Sequence, residues 1–126
     1  MNTQRVWFAF FIVFALTLNF GFFWGEIDNP NHHNPFEFFL ALVVSLIATV
    51  LKIGDRSHIG AVLLATSLVA DIQLILAAVM WGYSAQVIGE VSPATMASIV
   101  SLAGGAMLAN VTSVILLLSE TLQLKR

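Results

Sequence analysis

Asp71 is the residue whose type and position most directly indicate chemistry in this chain. It lies near the middle of the apolar run 59–81, which is long enough for a membrane-spanning helix. At about 1.5 Å per residue, Asp71 is roughly 18 Å from the start of that run, close to the bilayer midplane. A carboxyl there costs about 2.5–3.5 kcal/mol on insertion scales. It should therefore face another helix or water, where it either handles protons or cations or holds two helices together.

Four other polar residues are expected within the membrane-spanning segments and complete a candidate ion pathway. Ser67 lies one turn from Asp71 on the same helical face, and Gln73 lies two residues beyond it. Asn19 belongs to the first apolar segment and Asn110 to the last. Taken singly, each is expected to form a helix–helix hydrogen bond worth about 0.6–2 kcal/mol. Taken with Asp71, they predict one hydrogen-bonded interior.

Asp71 has no evident basic partner. Lys52 and Arg56 lie near a membrane face and would have to reach across most of half the bilayer. Because an unpaired charge is disfavoured at the midplane, the carboxyl should be neutral when dry and charged only when it faces water or a cation. Ser45 and Thr49 lie on roughly the same side of the second apolar segment as Lys52 and could join this interior.

The connection 25–37 concentrates turn-forming and titratable residues. Imidazole together with carboxylate suits zinc, copper or nickel, so His32, His33 and Glu37 form a candidate metal site. Adjacent histidines point in different directions, which favours a structured, solvated connection instead. A vestibule that responds to pH or concentrates cations is the third alternative.

Composition indicates an integral membrane protein. Hydrophobic residues make up 59% of the chain and charged residues 10%, against about 25% charge in ordinary soluble domains. The absence of cysteine excludes disulfides and thiolate chemistry. The few basic residues and the net charge of −2 give no support to nucleic-acid binding. No nucleophile–base pair is recognisable, so we expect neither an enzyme nor a cofactor.

Four apolar segments predict an all-α membrane fold in a single domain, residues 1–126. The expected helices span residues 6–24, 36–52, 59–81 and 94–118. Helix-start signals precede the second and fourth segments, at Asn34-Pro35 and Ser92-Pro93. Gly54 can end the second helix, and Asp55 or Ser57 can cap the third.

Charge predicts the orientation of these helices. Basic residues fall on one side of the expected membrane: Arg5, Lys52, Arg56, Lys125 and Arg126. The opposite side carries only acidic charge: Glu26, Asp28, Glu37 and Glu90. By the positive-inside rule, both termini and the connection 52–58 are expected in the cytoplasm of a bacterium, with the protein in its inner membrane.

Small residues recur at four-residue spacing along the last apolar segment: Ala97, Ser101, Gly105, Ala109 and Ser113. Positions four apart share a helix face, so another helix can approach closely along this stripe. The stripe favours packing within one bundle, and the alternative is an interface between subunits.

The whole chain resembles a small, uncharacterised family of bacterial inner-membrane proteins. The similarity rests on Leu18-Asn19-Phe20-Gly21, Asp28-Asn29-Pro30 with His32-His33, Gly54-Asp55-Arg56 and Ala70-Asp71. It implies a four-helix membrane protein and supplies no activity.

Function is accordingly predicted from the residues alone. We expect a homo-oligomer in the lipid bilayer that conducts cations or protons past Asp71. The alternative is a non-conducting accessory or assembly subunit of a larger transporter or channel, in which Asp71 pairs with a basic residue of that partner.

Overall fold

The computed structural model of the protein describes residues 3–26 and 28–124, which form a bundle of four long helices. These are α1 (Thr3–Phe23), α2 (Pro35–Lys52), α3 (His58–Tyr83) and α4 (Pro93–Leu124). All four are long and apolar enough to cross a membrane. This confirms the predicted all-helical architecture. Consecutive helices contact each other and α1 contacts α4, so each helix packs against two neighbours.

The predicted helix starts are confirmed by side-chain caps. Asn34 accepts the Phe36 N–H at 2.8 Å, and Pro35 occupies the first helical position. Ser57 caps α3 by accepting the Gly60 N–H at 3.0 Å. Each cap satisfies a backbone donor that has no partner within its own helix. The choice between Asp55 and Ser57 as the α3 cap is thereby decided in favour of Ser57.

Two helices run further than the sequence predicts. The α3 helix continues past residue 81 to Tyr83 and passes into a π-helical segment, Ser84–Ile88. It ends at Gly89, whose φ of +99° favours glycine. The α4 helix continues past residue 118, because nothing in its polar last turns interrupts the backbone hydrogen bonds. A short 3₁₀ turn, Pro30–His32, shapes the connection before α2.

The bundle has two ends of opposite charge. Its basic end carries Arg5, Lys52 and Arg56, and its acidic end carries Glu26, Asp28, Glu37 and Glu90. Lys125 and Arg126, which also entered the orientation prediction, lie outside the described residues. Both ends of the described chain lie at the basic end, because the four helices alternate in direction.

Two apolar clusters fill the interior toward these two ends. The cluster near the acidic end is aromatic, with the rings of Phe22, Phe38 and Trp81 at centroid distances of 5.0–5.6 Å. The cluster near the basic end contains Phe8 and Leu63. Buried polar side chains lie between the two clusters, and we call this region the middle layer: Asn19, Ser45, Thr49, Ser67, Asp71 and Asn110.

Large apolar side chains also cover the outside of every helix. Examples are Phe10 on α1, Val43 on α2, Ile72 on α3 and Leu108 on α4, all exposed. A soluble protein rarely leaves so much apolar surface to water. The surface therefore fits a lipid environment on all sides of the bundle.

The small-residue stripe packs largely within the chain. At Gly105 a Cβ atom would collide with the Gln73 carboxamide of α3, so the glycine leaves the space that this side chain fills between the two helices. Ser113 is buried, and its Oγ lies 2.5 Å from Thr66 Oγ1 of α3. Ser101 is exposed. The first of the two alternatives for the stripe thus accounts for Gly105 and Ser113, and Ser101 stays free for contact with another subunit.

Candidate functional site

Asp71 faces α2 from the middle of α3 and is only 4% exposed. Its Oδ1 accepts a hydrogen bond from Ser45 Oγ at 2.7 Å. Its Oδ2 lies 2.5 Å from Thr49 Oγ1. Ser45 and Thr49 are one turn apart on α2, so their hydroxyls reach the two oxygens of one carboxyl. The sequence placed both hydroxyls on the buried side of α2 but did not identify them as the partners of Asp71.

The Thr49 hydroxyl has two acceptors but only one proton. Its Oγ1 lies 3.0 Å from the Ser45 carbonyl oxygen and 2.5 Å from Asp71 Oδ2. A carbonyl oxygen can only accept a hydrogen bond, whereas a carboxyl can either accept or, when protonated, donate. The direction of the Thr49–Asp71 hydrogen bond therefore depends on whether Asp71 carries a proton.

Both charge states of Asp71 can be satisfied without moving a heavy atom. As an anion, Asp71 accepts from Ser45 and from Thr49. As a neutral acid, it donates from Oδ2 to Thr49, and Thr49 turns its own proton to the Ser45 carbonyl. Ser45 Oγ donates to Oδ1 in either state. The arrangement differs from that of a purely structural carboxylate, whose donors fix the anion.

Within residues 3–26 and 28–124, the ion pairs lie at the basic end and leave Asp71 unpaired. Arg5 pairs with Glu120 at 2.9 Å, and Lys52 pairs with Asp55 at 3.2 Å. The Lys52 ammonium also lies 4.4 Å from the centre of the Phe8 ring, where a cation–π interaction holds it away from the midplane. The expectation that no basic residue neutralises Asp71 agrees with these contacts.

Three other residues of the predicted pathway are fully buried without a side-chain hydrogen bond. The amide groups of Asn19 and Asn110 and the hydroxyl of Ser67 have no partner among the described residues, and neither does Gln73 Oε1. A buried polar group without a partner costs about 1–3 kcal/mol. Water molecules usually satisfy such groups in a folded protein. These side chains therefore provide binding positions for water or a small cation.

Helix register brings Ser67 and Asn110 to one level. The hydrogen bond between Thr66 and Ser113 aligns α3 with α4. Because the two helices are antiparallel, Ser67 and Asn110 lie within about one turn of each other along the bundle.

Asn19 joins the same level through α1. Phe23 packs against Gly104 and aligns α1 with α4. Asn19 and Asn110 consequently also lie within about one turn of each other. The structure thus gathers four of the five predicted pathway residues in the middle layer. Gln73, the fifth, is half-buried beside Gly105.

The predicted metal ligands in the connection 25–37 do not form a metal-binding arrangement. The described residues contain no group of three His, Cys, Asp or Glu side chains that could hold a metal ion. His32 Nδ1 accepts the Glu26 backbone N–H at 2.9 Å. Glu37 directs its carboxylate against Gly21 of α1. These side chains are occupied by hydrogen bonding and packing that order the connection.

His33 is the anchor of this connection. It is buried, and its Nδ1 and Nε2 lie 2.6 Å from the Phe22 carbonyl oxygen and 2.7 Å from the Glu26 carbonyl oxygen. Through these two contacts the ring joins the last turn of α1 to the chain that follows it. The alternative of a structured connection is the one that this geometry supports.

The connection between α2 and α3 contains a second well-satisfied charge. Hydrogen bonds from the Ser57 side chain and backbone lower the pKa of Asp55 to about 2, and Lys52 adds to the effect. Asp55 Oδ1 accepts from the Ser57 N–H at 3.0 Å and from the Ser57 hydroxyl at 2.7 Å. The carboxylate therefore stays ionised and orders the turn into α3.

The fold and the middle layer define a multi-pass helical membrane protein with an unpaired carboxyl in its interior. The chain belongs to the family of unknown function DUF6394, whose pattern matches residues 32–121. This confirms the expected membership of an uncharacterised family. The matched region includes Ser45, Thr49 and Asp71. No curated protein and no solved structure matches the chain.

Proposed function

We propose that the protein conducts protons or small monovalent cations across a membrane through the middle layer, with Asp71 as the binding group. The observation that carries this proposal is the carboxyl itself, which is buried among hydroxyls and has no cation beside it in the described chain. A carboxyl kept only for packing would need no second charge state. An ionisable group at this depth is costly, and a transport role gives a reason for that cost.

The position of Asp71 favours conduction over the accessory-subunit alternative. That alternative needs the carboxyl to pair with a basic residue of a partner protein. Asp71 is 4% exposed, and its oxygens are directed at Ser45 and Thr49 of the same chain. A partner helix on the outside of the bundle would not reach it without displacing α2.

We further propose a bacterial inner membrane, with the basic end in the cytoplasm. The support is the separation of charge: Arg5, Lys52 and Arg56 lie at one end, together with Asp55 and Glu120, whereas the other end carries Glu26, Asp28, Glu37 and Glu90 and no Lys or Arg among the described residues. A cysteine introduced at Asn31, which is exposed, should react with an impermeant thiol reagent added outside intact cells. Reaction only after the membrane is broken would reverse the orientation.

Assembly into a homo-oligomer is part of the same proposal. The exposed portion of the α4 stripe, at Ser101, offers a second copy a small-residue surface. Cross-linking in native membranes and the mass of the purified protein measure the number of copies. A monomer in both would remove oligomerisation from the proposal and leave the pathway inside one bundle.

The experiment that tests conduction compares Asp71→Asn with the parent protein in liposomes. Asparagine keeps the size and much of the hydrogen bonding of the carboxyl but cannot ionise. We expect proton, sodium or potassium flux in the parent and at least a tenfold loss in Asp71→Asn. Asp28→Asn, an exposed change at the acidic end, is the matched control and should retain flux. Equal flux in parent and Asp71→Asn would contradict the assignment of this residue.

A further inference from the structure

We propose that the ion bound at Asp71 is the proton and not a dehydrated metal cation. This inference deepens the proposed function and rests on it for the transport step. The identity of the bound ion is argued independently of transport, from the geometry of three side chains. The hydroxyls of Ser45 and Thr49 and the carboxyl of Asp71 together form the site.

The oxygen–oxygen distances fit protons between the oxygens. The two contacts of the carboxyl measure 2.5 and 2.7 Å. Hydrogen bonds between a hydroxyl and a carboxylate have lengths of about 2.5–2.7 Å. Oxygens that share a hard cation such as calcium each lie about 2.3–2.6 Å from it, which separates neighbouring ligands by roughly 3 Å or more. The site is too closely packed for a metal ion among these three side chains.

Proton binding needs no other reactant. The carboxylate takes up one proton, and an O–H bond forms at Oδ2. The new O–H donates to Thr49 Oγ1, and the Thr49 proton turns from Oδ2 to the Ser45 carbonyl oxygen. Ser45 Oγ continues to donate to Oδ1. Release reverses these steps, so the charge of Asp71 changes by one unit while the heavy atoms stay in place.

Other titratable groups on the surrounding helices are at the ends of the bundle. On α2 these are Glu37, beside Gly21, and Lys52, paired with Asp55. On α1 and α4 they are Arg5 and Glu120, which pair with each other. On α3 itself they are His58 and Tyr83, both exposed. Among the described side chains, then, none of these is positioned to share the Asp71 proton, and the exchange partner is water.

The unpartnered groups of the middle layer can hold that water. Ser67 lies one turn from Asp71 on the same face of α3, and Asn19 and Asn110 lie nearby at the same depth. A carboxamide both donates and accepts, so each asparagine can order a water molecule in either direction of proton movement. The large side chains of the two apolar clusters, such as Phe22 and Phe8, lie toward the two ends of the bundle from this layer.

Infrared spectroscopy of the full chain in lipid tests the binding step directly. The aspartates are Asp28, Asp55 and Asp71, so labelling aspartate with carboxyl-¹³C restricts the signal to these three. At neutral pH, Asp28 is exposed and Asp55 has a pKa of about 2, so a protonated-carboxyl band that shifts with the label belongs to Asp71. We expect this band in the parent and in Asp28→Asn. We expect its loss in Asp71→Asn.

The response of the protonated-carboxyl band to metal ions tests the alternative that a metal cation binds at Asp71. Sodium and potassium should leave the protonated band unchanged. A band that is absent at neutral pH, or that converts to carboxylate on addition of either ion, would overturn the inference. If Asp71→Asn fails to insert, the shift of the band on labelling still shows in the parent protein whether an aspartate is protonated at neutral pH.

Flux measured on the same samples separates the inference from the proposed function. Proton flux without sodium or potassium flux supports both. Sodium or potassium flux that depends on Asp71, with no proton flux, supports conduction and overturns the inference that the bound ion is the proton. A protonated Asp71 without flux of any ion supports the proton as the bound species and contradicts conduction.

Discussion

Polar side chains that order the connections at the ends of the bundle have hydrogen-bond partners, whereas several polar side chains of the middle layer have none among the described residues. At the acidic end, both ring nitrogens of His33 have carbonyl partners, and at the basic end Asp55 accepts two hydrogen bonds from Ser57 and pairs with Lys52. In the middle, Asn19 and Asn110 have no partner among the described residues, and Asp71 has hydroxyls but no cation. Polar groups that order a connection are fully satisfied, and those of the middle layer leave bonding capacity for something that binds there.

Asp55, at the basic end, and Asp71, in the middle layer, differ in the charge states that their hydrogen bonds allow. The Ser57 side chain and backbone hold the pKa of Asp55 well below its usual value. Around Asp71, the one Thr49 proton can serve either the carboxyl or a carbonyl. Asp55 is thereby fixed as an anion, whereas Asp71 has satisfied hydrogen bonds in two charge states. Four substitutions can break or sharpen the contrast between the ends and the middle.

The largest effect is expected from Gly105→Leu, which acts on the frame of the middle layer. A leucine there must displace the half-buried Gln73 carboxamide and fit its own larger side chain between α3 and α4, so we expect destabilisation of about 1–3 kcal/mol. Purified yield and thermal unfolding in detergent measure this. Ser101→Leu, on the exposed part of the same stripe, is the control and should fold. A normally stable Gly105→Leu would show that Gln73 moves aside and that the stripe does not limit packing at this position.

The next effect is expected at the acidic end, from His33→Ala. The substitution leaves the Phe22 and Glu26 carbonyl oxygens without their ring partner, which costs about 1–3 kcal/mol. Hydrogen–deuterium exchange across residues 25–34 should accelerate, while α3 and α4 stay protected. His58→Ala, exposed at the other end of the bundle, should leave exchange in this connection unchanged. Unaltered exchange in His33→Ala would mean that the ring does not anchor the connection.

A smaller effect of opposite sign is expected in the middle layer, from Asn110→Leu. Leucine shares the branched shape of asparagine, although its methyl groups are larger, and it removes two buried polar atoms that lack partners among the described residues, so thermal stability should stay equal or rise by up to about 1–3 kcal/mol. Ser113→Ala is the matched change on the same helix, and it should lower stability because its hydroxyl bonds Thr66. Equal losses in both variants would indicate that Asn110 has a firmly bound partner.

The smallest effect on stability is expected from Asp55→Asn, at the basic end of the bundle, and this effect should disappear at low pH. Folding lowers the pKa of Asp55 from 3.8 to about 2, so its stabilisation is complete above about pH 4 and is lost as the pH falls toward 2. Because the site is near the surface, we expect less than about 1 kcal/mol. Thermal unfolding at pH 7 and at acidic pH should show a difference between parent and Asp55→Asn only at the higher pH. A difference that persists at pH 2 would contradict the lowered pKa.

The sequence alone was enough to predict the four helices and the position of Asp71 near the middle of the third. Length and hydropathy decide whether a segment can span a bilayer, and Asn34, Ser57 and Gly54 mark boundaries through local chemistry. The family membership was likewise expected from the residues. The ends of α3 and α4 were missed, because a helix continues through neutral residues until a residue such as Gly89 breaks it.

Only the tertiary structure decided which side chains meet. The pairing of Ser45 and Thr49 with Asp71 depends on the rotation and register of α2 against α3, which are set by packing along both helices. The same holds for His33, whose partners are carbonyl oxygens at the end of α1 and beyond it and carry no sequence signal. The sequence by itself determined that a carboxyl lies in the middle of a helix that is long and apolar enough to span a membrane. Its neighbours, and with them the charge states open to it, were determined by the way the helices pack.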